Sequence, residues 1–155
     1  NGAPKHFLSW SNNLTWRNFD LSVFFRGTFG FDVFNMRKYG MGLQGCGTDN
    51  VLRSAYLEDK NIRTGGGVIS SYFLEDGSFI KLENVTLGYN FTPKKRKLLD
   101  NMRIYLSAKN LFTLTGYSGN DPSIIDVNGI QPGVDSNSAY PTATQLSLGV
   151  TLRFK

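Results

Sequence analysis

The chain is poor in the residues that most often carry catalysis and cross-linking. It has one cysteine, Cys46, and one histidine, His6, in 155 residues. A single cysteine excludes an internal disulfide framework. A single histidine leaves a histidine-based metal site or a Ser-His-Asp triad without its parts. No stretch approaches 18 consecutive apolar residues, so no transmembrane helix is encoded. That absence does not bear on a membrane protein built from strands, whose only sequence signal is alternation. Charged residues make up 19% of the chain, below the usual quarter. The net charge of +5 owes much to one run, Lys94 to Lys97, so it is a weak guide to the surface as a whole. The chain begins at Asn1 with neither methionine nor signal peptide. The expectation is that a segment has been removed or that this is a piece of a longer protein.

What the sequence does have is aromatic residues, 14% with twelve Phe and seven Tyr, and glycine. The aromatics fall into an alternating pattern. The longest such run lies at Ser78 to Phe91. Val85, Leu87, Tyr89 and Phe91 alternate there with Asn84, Thr86, Gly88 and Asn90. Period two is the mark of a strand with one apolar and one polar face. At ~3.3 Å per residue this run reaches roughly 45 Å, against ~17–20 Å for an ordinary globular strand.

Four more runs alternate. Residues 6–16 set Leu8, Trp10, Leu14 and Trp16 on one face, interrupted by Asn12. Residues 19–29 set Phe19, Leu21, Val23, Phe25 and Phe29 against Asp20, Ser22, Arg26 and Thr28, with Phe24 the exception. Residues 102–114 set Ile104, Leu106 and Ala108 against Arg103, Tyr105, Ser107 and Lys109. Residues 142–154 are the most regular, with Leu146, Leu148, Val150, Leu152 and Phe154 on one face. The connections alternate in length: a tight turn at 17–18, a long glycine-rich insertion at 30–76, a polar connection at 92–101 and a long loop at 115–141. A short helix is expected near Asn50–Asp59, capped by Asp49 or Asn50, and a single helical turn within 92–101.

Short and long connections in alternation mark an up-and-down membrane barrel, with short turns on the periplasmic side and long loops outside. If the chain ends in the periplasm, residues 142–154 descend, 102–114 ascend, 78–91 descend, 19–29 ascend and 6–16 descend. The apolar faces carry roughly twenty large side chains, each worth ~1.5–3 kcal/mol on burial. A domain's net stability is only ~5–15 kcal/mol, so those faces must meet lipid, a second sheet or a partner. Five strands cannot close a barrel, because the smallest membrane barrels use ~8. Open edges are not tolerated in hydrocarbon. The expectation is therefore an all-β chain of antiparallel up-and-down strands, the last part of a larger transmembrane barrel.

With these residues laid out, the chain resembles the C-terminal end of a SusC/RagA-type TonB-dependent outer-membrane receptor, over essentially all 155 residues. The pieces that carry the resemblance are NGAPK before a strand, the hairpin WRNFDLSVFFRG, the segment FLEDGSFIKLENVTLGYNF, the segment MRIYLSAKNLFTLTGYSGNDPS and the closing ATQLSLGVTLRF. The middle segments are specific, whereas the opening and closing strands occur in many barrels. Lys155 departs from the pattern, since such barrels commonly end on the aromatic that the assembly machinery reads. The resemblance implies a barrel of about 22 strands with an N-terminal plug, neither the plug nor the earlier strands lying in these residues. It also implies a SusD-like surface lipoprotein as lid, oligosaccharide or peptide cargo, and import driven by the TonB complex through parts absent here. The implied setting is the outer membrane of a Gram-negative, Bacteroidetes-like cell, with outer-membrane lipid around the wall.

Other features support no competing chemistry, so no enzyme, cofactor or metal site is expected. Cys46 lies in a glycine-rich loop with no histidine motif beside it. Thr64-Gly65-Gly66-Gly67 lacks the Lys-Ser/Thr of a phosphate loop. Glu75-Asp76 resembles a catalytic carboxylate pair, but adjacent acids at a strand corner are ordinary turn chemistry. Lys94 to Lys97 reads as a solvated turn facing anionic headgroups or a neighbouring domain, not as a nucleic-acid patch. Asn13, Asn84 and Asn90 begin Asn-X-Ser/Thr sequons but lie within or at the ends of strands, so glycosylation is not expected. Candidate cargo contacts are Tyr39 and Tyr72, bordering the first long loop, and Tyr117, Asn120 and Asp121, following the strand at 102–114. Asp121-Pro122 has the plainer reading of shaping its loop. Arg103 and Lys109 are candidates for the barrel lumen, or for pairing with carboxylates on other strands or the plug. The alternative is a secreted all-β carbohydrate-binding or adhesion module, a sandwich whose apolar faces meet each other.

Overall fold

The computed structural model describes residues 1–42, 51–53, 69–93, 99–124, 132–136 and 140–154. Its described residues are all-β apart from one short helix and two 3-10 turns. Eight strands form in chain order: β1 (His6–Trp16), β2 (Phe19–Phe29), β3 (Asp32–Asn35), β4 (Leu74–Asp76), β5 (Phe79–Phe91), β6 (Leu99–Thr115), β7 (Val134–Asp135) and β8 (Gln145–Phe154). The helix, α1 (Met36–Met41), follows β3 directly. The strands make a five-stranded sheet in the order β1-β2-β5-β6-β8 and a three-stranded sheet in the order β4-β3-β7. The chain divides into two compact units, each described separately below.

The wall unit comprises residues 7–27, 80–114 and 143–155, the greater part of the five-stranded sheet. The β6–β8 register shows how its faces are sorted. Met102 lies opposite Leu152, Ile104 opposite Val150, Leu106 opposite Leu148 and Ala108 opposite Leu146. Arg103 faces Thr151, Tyr105 faces Gly149, Ser107 faces Ser147 and Lys109 faces Gln145. The alternation read in the sequence therefore becomes one apolar and one polar face. Rings continue the apolar face across the sheet: Trp10 lies 5.6 Å from Phe25, and Phe25 lies 6.5 Å from Phe112. That face has no cover. Leu146, Leu148, Val150, Leu152 and Phe154 are 47–75% exposed.

The loop unit comprises residues 1–6, 28–79 and 115–142, which include both long connections between strands of the wall. It does have a core, in which Phe31, Val33, Phe79 and Tyr117 cluster. β3 pairs antiparallel with β4, setting Val33 opposite Glu75, and parallel with β7, setting Phe34 opposite Val134. Gly77 is needed for close packing, because a Cβ there would fall 2.4 Å from the Phe31 ring and 2.5 Å from a Val33 methyl. Gly133 has φ +79°, the left-handed region that suits glycine.

Several expectations need correction. The insertion at 30–76 contains β3, α1, a 3-10 turn at Ser71–Phe73 and β4, where the sequence showed only a break in pattern. The loop at 115–141 contains a 3-10 turn at Pro122–Ile124 and β7. These strands run two to four residues, too short for periodicity to register. The parallel β3–β7 pairing also departs from a purely antiparallel plan. β6 begins at Leu99, inside the expected connection, because Leu99 pairs with Phe154 across a register shift at Leu99/Asn101. α1 was legible in principle, since the Asn35 side chain caps it by accepting from Lys38 N at 2.8 Å. The helix expected at Asn50–Asp59 lies largely outside the described residues, as do the helical turn expected within 92–101, Cys46, Thr64–Gly67, Lys94–Lys97 and Lys155.

Candidate functional site

The loop unit gathers its side chains on both sides of β3. On one side Phe34, Tyr39 and Phe73 form a ring cluster, with Tyr39 5.3 Å from Phe73 and 5.8 Å from Phe34. Tyr72 packs 5.3 Å from Phe73, and the Lys38 ammonium lies 4.3 Å from the Tyr72 ring centroid, within cation–π reach. Tyr39 and Tyr72 are half-buried, so each keeps part of its ring in solvent. Both tyrosine rings pack edge-on against Phe73, and Lys38 lies over one of them.

Glu75 joins the segments of this unit. Its carboxylate accepts from Ser118 N and Ser118 Oγ, each at 2.8 Å, and from Asn35 Nδ2 at 3.4 Å. Lys38 Nζ adds an ion pair at 3.3 Å. Burial works to raise the Glu75 pKa, but the two Ser118 hydrogen bonds and Lys38 outweigh it, and the net shift is downward. Asp76 accepts from both the backbone N–H and the hydroxyl of Ser78, which lowers its pKa in turn. The reading of this pair as turn chemistry fits Asp76. Glu75 ties β3, β4 and the segment after β6 together, a long-range role that no local signal carries.

The other candidate residues are placed as follows. Asn120 is exposed and accepts from Arg37 NH1 at 2.6 Å. Tyr117 is buried in the core at 6% exposure, and its hydroxyl donates to Asp135 Oδ2 at 2.5 Å. Burial first, and then the Asp135 carboxylate, push its pKa well above the usual tyrosine value. Asp121 is buried too, accepting from Ser123 N at 2.9 Å and from the Thr142 hydroxyl. Tyr39, Tyr72 and Asn120 thus present surface, whereas Tyr117 and Asp121 hold the loop that displays Asn120.

Arg103 and Lys109 lie together on the polar face of the wall unit. Arg103 makes a two-point ion pair with Asp20 on β2, although β5 lies between their strands. Gly88 on β5 makes this reach possible. A Cβ there would sit 2.5 Å from both Asp20 carboxylate oxygens. Asn90 Nδ2 also donates to Asp20, at 2.8 Å. Arg103 in turn lies 5.1 Å from the Tyr105 ring, and Tyr105 covers Gly149 on β8. Farther along, Thr86, Ser107 and Asn84 form a hydroxyl–amide chain. This is a polar, cross-linked face. The expected alternative that Arg103 pairs with a carboxylate on another strand holds, but its partner Asp20, 83 residues away, carried no local signal. The described residues hold no cluster of three His, Cys, Asp or Glu side chains suited to a metal ion. Nor do they hold a helix long and apolar enough to cross a membrane, which says nothing of a β-barrel.

No family model matches the chain. Among curated proteins it is 26% identical over 173 residues to TonB-dependent receptor P3 of Formosa agariphila, an alignment covering 98% of this chain and 16% of the receptor. It is 28% identical over 152 residues to TonB-dependent receptor SusC of Bacteroides thetaiotaomicron, covering 93% of this chain and 14% of that protein. The chain thus spans about a sixth of the length of these relatives. Among solved structures it superposes on a chain of the RagAB peptide importer in its closed-closed state with a TM-score of 0.75 at 23% identity, covering 97% of this chain and 17% of that one. The open-open state gives a TM-score of 0.73. Both kinds of relative cover nearly all of this chain. In sequence and in fold together, the chain resembles the C-terminal barrel segment of TonB-dependent receptors of the SusC/RagA type.

Proposed function

We propose that these residues form the last five strands and two outer connections of an outer-membrane importer, a SusC-like barrel of about 22 strands. Its cargo is an oligosaccharide or a peptide, taken up with a SusD-like surface lipoprotein as lid and with energy from the TonB complex acting through other parts of the receptor. The observation that carries this reading is the uncovered apolar face of the wall unit, with β8 side chains 47–75% exposed. A sandwich module would turn such a face against a second sheet, so the secreted-module alternative lacks support. Lipid is the environment that satisfies both this face and strands of ten to seventeen residues. The names of the relatives support transport over enzymatic chemistry, and the RagAB neighbour keeps peptides beside glycans as cargo.

In this reading the polar face lines the lumen, with Arg103 locked by Asp20 and Lys109 presented to the channel. Tyr39, Tyr72 and Asn120 are the proposed cargo or lid contacts. The test is uptake of labelled oligosaccharide and peptide libraries by cells that lack the whole receptor and by cells in which it is restored. The expected result is loss of one cargo class on deletion and its return on restoration. Tyr72→Ala should weaken that uptake while leaving the amount of receptor in the membrane unchanged. Uptake of every cargo that is indifferent to deletion would contradict the importer reading.

A further inference from the structure

The polar face of the wall unit carries one large ring where the alternation calls for a small or polar residue. Phe24 lies on β2 between Ser22 and Arg26 of that face. It is half-buried, and among the described residues no aromatic ring packs against it. The register of β2 and β5 identifies its neighbours. Asn90 N donates to Asn18 O, and Gly88 lies against the Asp20 carboxylate. The two strands therefore run antiparallel, with Asn18 beside Asn90 and Asp20 beside Gly88. Continuing that pairing along the face brings Phe24 beside Asn84, one strand spacing away at ~4.8 Å. The Arg26–Glu83 ion pair, at 2.6 Å, comes next along the same two strands. On β6 Ser107 completes the group. Its hydroxyl accepts from Thr86 at 3.2 Å and donates to Asn84 Oδ1 at 3.4 Å.

The chemistry of this group is that of a sugar contact. The charges on either side of Phe24 engage each other, Asp20 with Arg103 and Glu83 with Arg26. Lys109 is a further cation of this face, but it stands on β6, two strands from Phe24. At Phe24 itself a ligand meets an aromatic ring bordered by an amide and two hydroxyls. Asn84 Oδ1 accepts from Ser107, whereas Asn84 Nδ2 has no partner among the described residues and keeps both its N–H donors. A pyranose presents an apolar C–H face rimmed by hydroxyls, which matches the ring and the amide together. A peptide meets such a place with any apolar side chain, which needs bulk but no flat ring. We propose that Phe24 and Asn84 form a subsite of the wall for one pyranose unit of an oligosaccharide. The C–H face of the sugar stacks on the Phe24 ring, and a sugar hydroxyl accepts from Asn84 Nδ2. This inference rests on the importer reading above and goes beyond it by choosing the cargo class and by placing a contact on the wall.

The test uses the whole receptor, purified in a detergent without a sugar headgroup. It is titrated calorimetrically with oligosaccharides of glucose, galactose, mannose and xylose and with a peptide library. An oligosaccharide should bind. Phe24→Ala should weaken that binding roughly fivefold, in line with the loss of one stacked ring. Phe24→Leu should weaken it nearly as much, because it restores apolar bulk without a flat face, whereas Phe24→Tyr should retain it. Asn84→Ala should weaken it roughly threefold, the range for one hydrogen bond. The thermal midpoint of the unliganded receptor should be the same in Phe24→Ala as in the native protein. Equal oligosaccharide binding by the native protein and Phe24→Ala would overturn the proposal, as would full binding by Phe24→Leu. A lowered midpoint in unliganded Phe24→Ala would also overturn it, by showing that the ring packs on another part of the receptor. Binding of peptides and of no oligosaccharide would overturn the proposal and leave the importer reading standing. A receptor that binds neither class would instead overturn the importer reading.

Discussion

The two units use the same kinds of residue in opposite ways. The loop unit buries Val33 completely and Phe73 almost completely, and it places polar side chains such as Glu75 and Asn35 where they find partners. The wall unit leaves its largest apolar side chains uncovered and spends its hydrogen bonds and ion pairs on the opposite face. A protein interior supplies the apolar environment of the first unit. The described apolar side chains on the wall face of the second are largely exposed, and in the proposed reading lipid supplies their apolar environment. Exposure of a leucine therefore means different things in the two units, and substitutions can separate the two meanings.

The largest effect is expected in the loop unit. Phe73→Ala should cost ~3–5 kcal/mol of local stability, because it empties a fully packed site. Proteolysis of the whole receptor in intact cells should then cut the outer loops faster, while the amount of barrel in the membrane stays the same. A parallel loss of barrel would erase the distinction between the units. Next comes a pair of arginine substitutions at equally exposed positions. Leu148 in β8 is 75% exposed and Ile69 in the loop unit is 74% exposed. Leu148→Arg should cost ~2–4 kcal/mol, the range for a charge at the lipid midplane, and sharply lower the yield of assembled barrel. Ile69→Arg should change the yield little, as surface substitutions commonly do. Equal yields would show that the exposed face of β8 does not meet lipid.

A smaller effect should follow from Gly88→Val, which places side-chain atoms where the Asp20 carboxylate lies. Forcing extra groups into a filled site costs ~1–3 kcal/mol. Heat-resistant migration of the folded barrel on gels should be lost at a lower temperature, and Asp20→Ala in the same chain should restore part of it. The smallest effect concerns pH. The Glu75 pKa is lowered from 4.5 in the folded chain, so its contribution is fully present above 4.5. It is lost as pH falls through the lower folded value. Loop proteolysis of the native receptor should therefore quicken below that point. In Glu75→Gln the acid-induced increase should be smaller.

Much of this architecture was legible in the sequence where a strand was long enough to repeat. β1, β2, β5 and β8 follow the alternation read from residues 6–16, 19–29, 78–91 and 142–154, to within a few residues. The small sheet was not legible. β7 is two residues long and exists only because Phe34 and Asn35, a hundred residues earlier in the chain, offer it a partner. The same limit hid half of the polar lock: pairing of Arg103 with a carboxylate on another strand was expected, but Asp20 as that partner was not. Asp20 and Arg103 are ordinary strand residues in sequence, and the one local hint is Gly88, a small residue in the middle of a polar face. The aromatics at the loops were visible as residue types, but their burial was not. Tyr39 and Tyr72 keep surface, whereas Tyr117 closes the core through Asp135.

The central claim is that the uncovered face of the wall unit meets lipid as part of a larger barrel. Fractionation of the source cells tests it most directly, probed with an antibody raised against the Lys94–Asn101 segment. The account predicts a band several times longer than 155 residues, confined to the outer membrane and released only by detergent. A soluble band of this chain's own size would contradict it, because the apolar face of the wall would then have to be covered without a membrane.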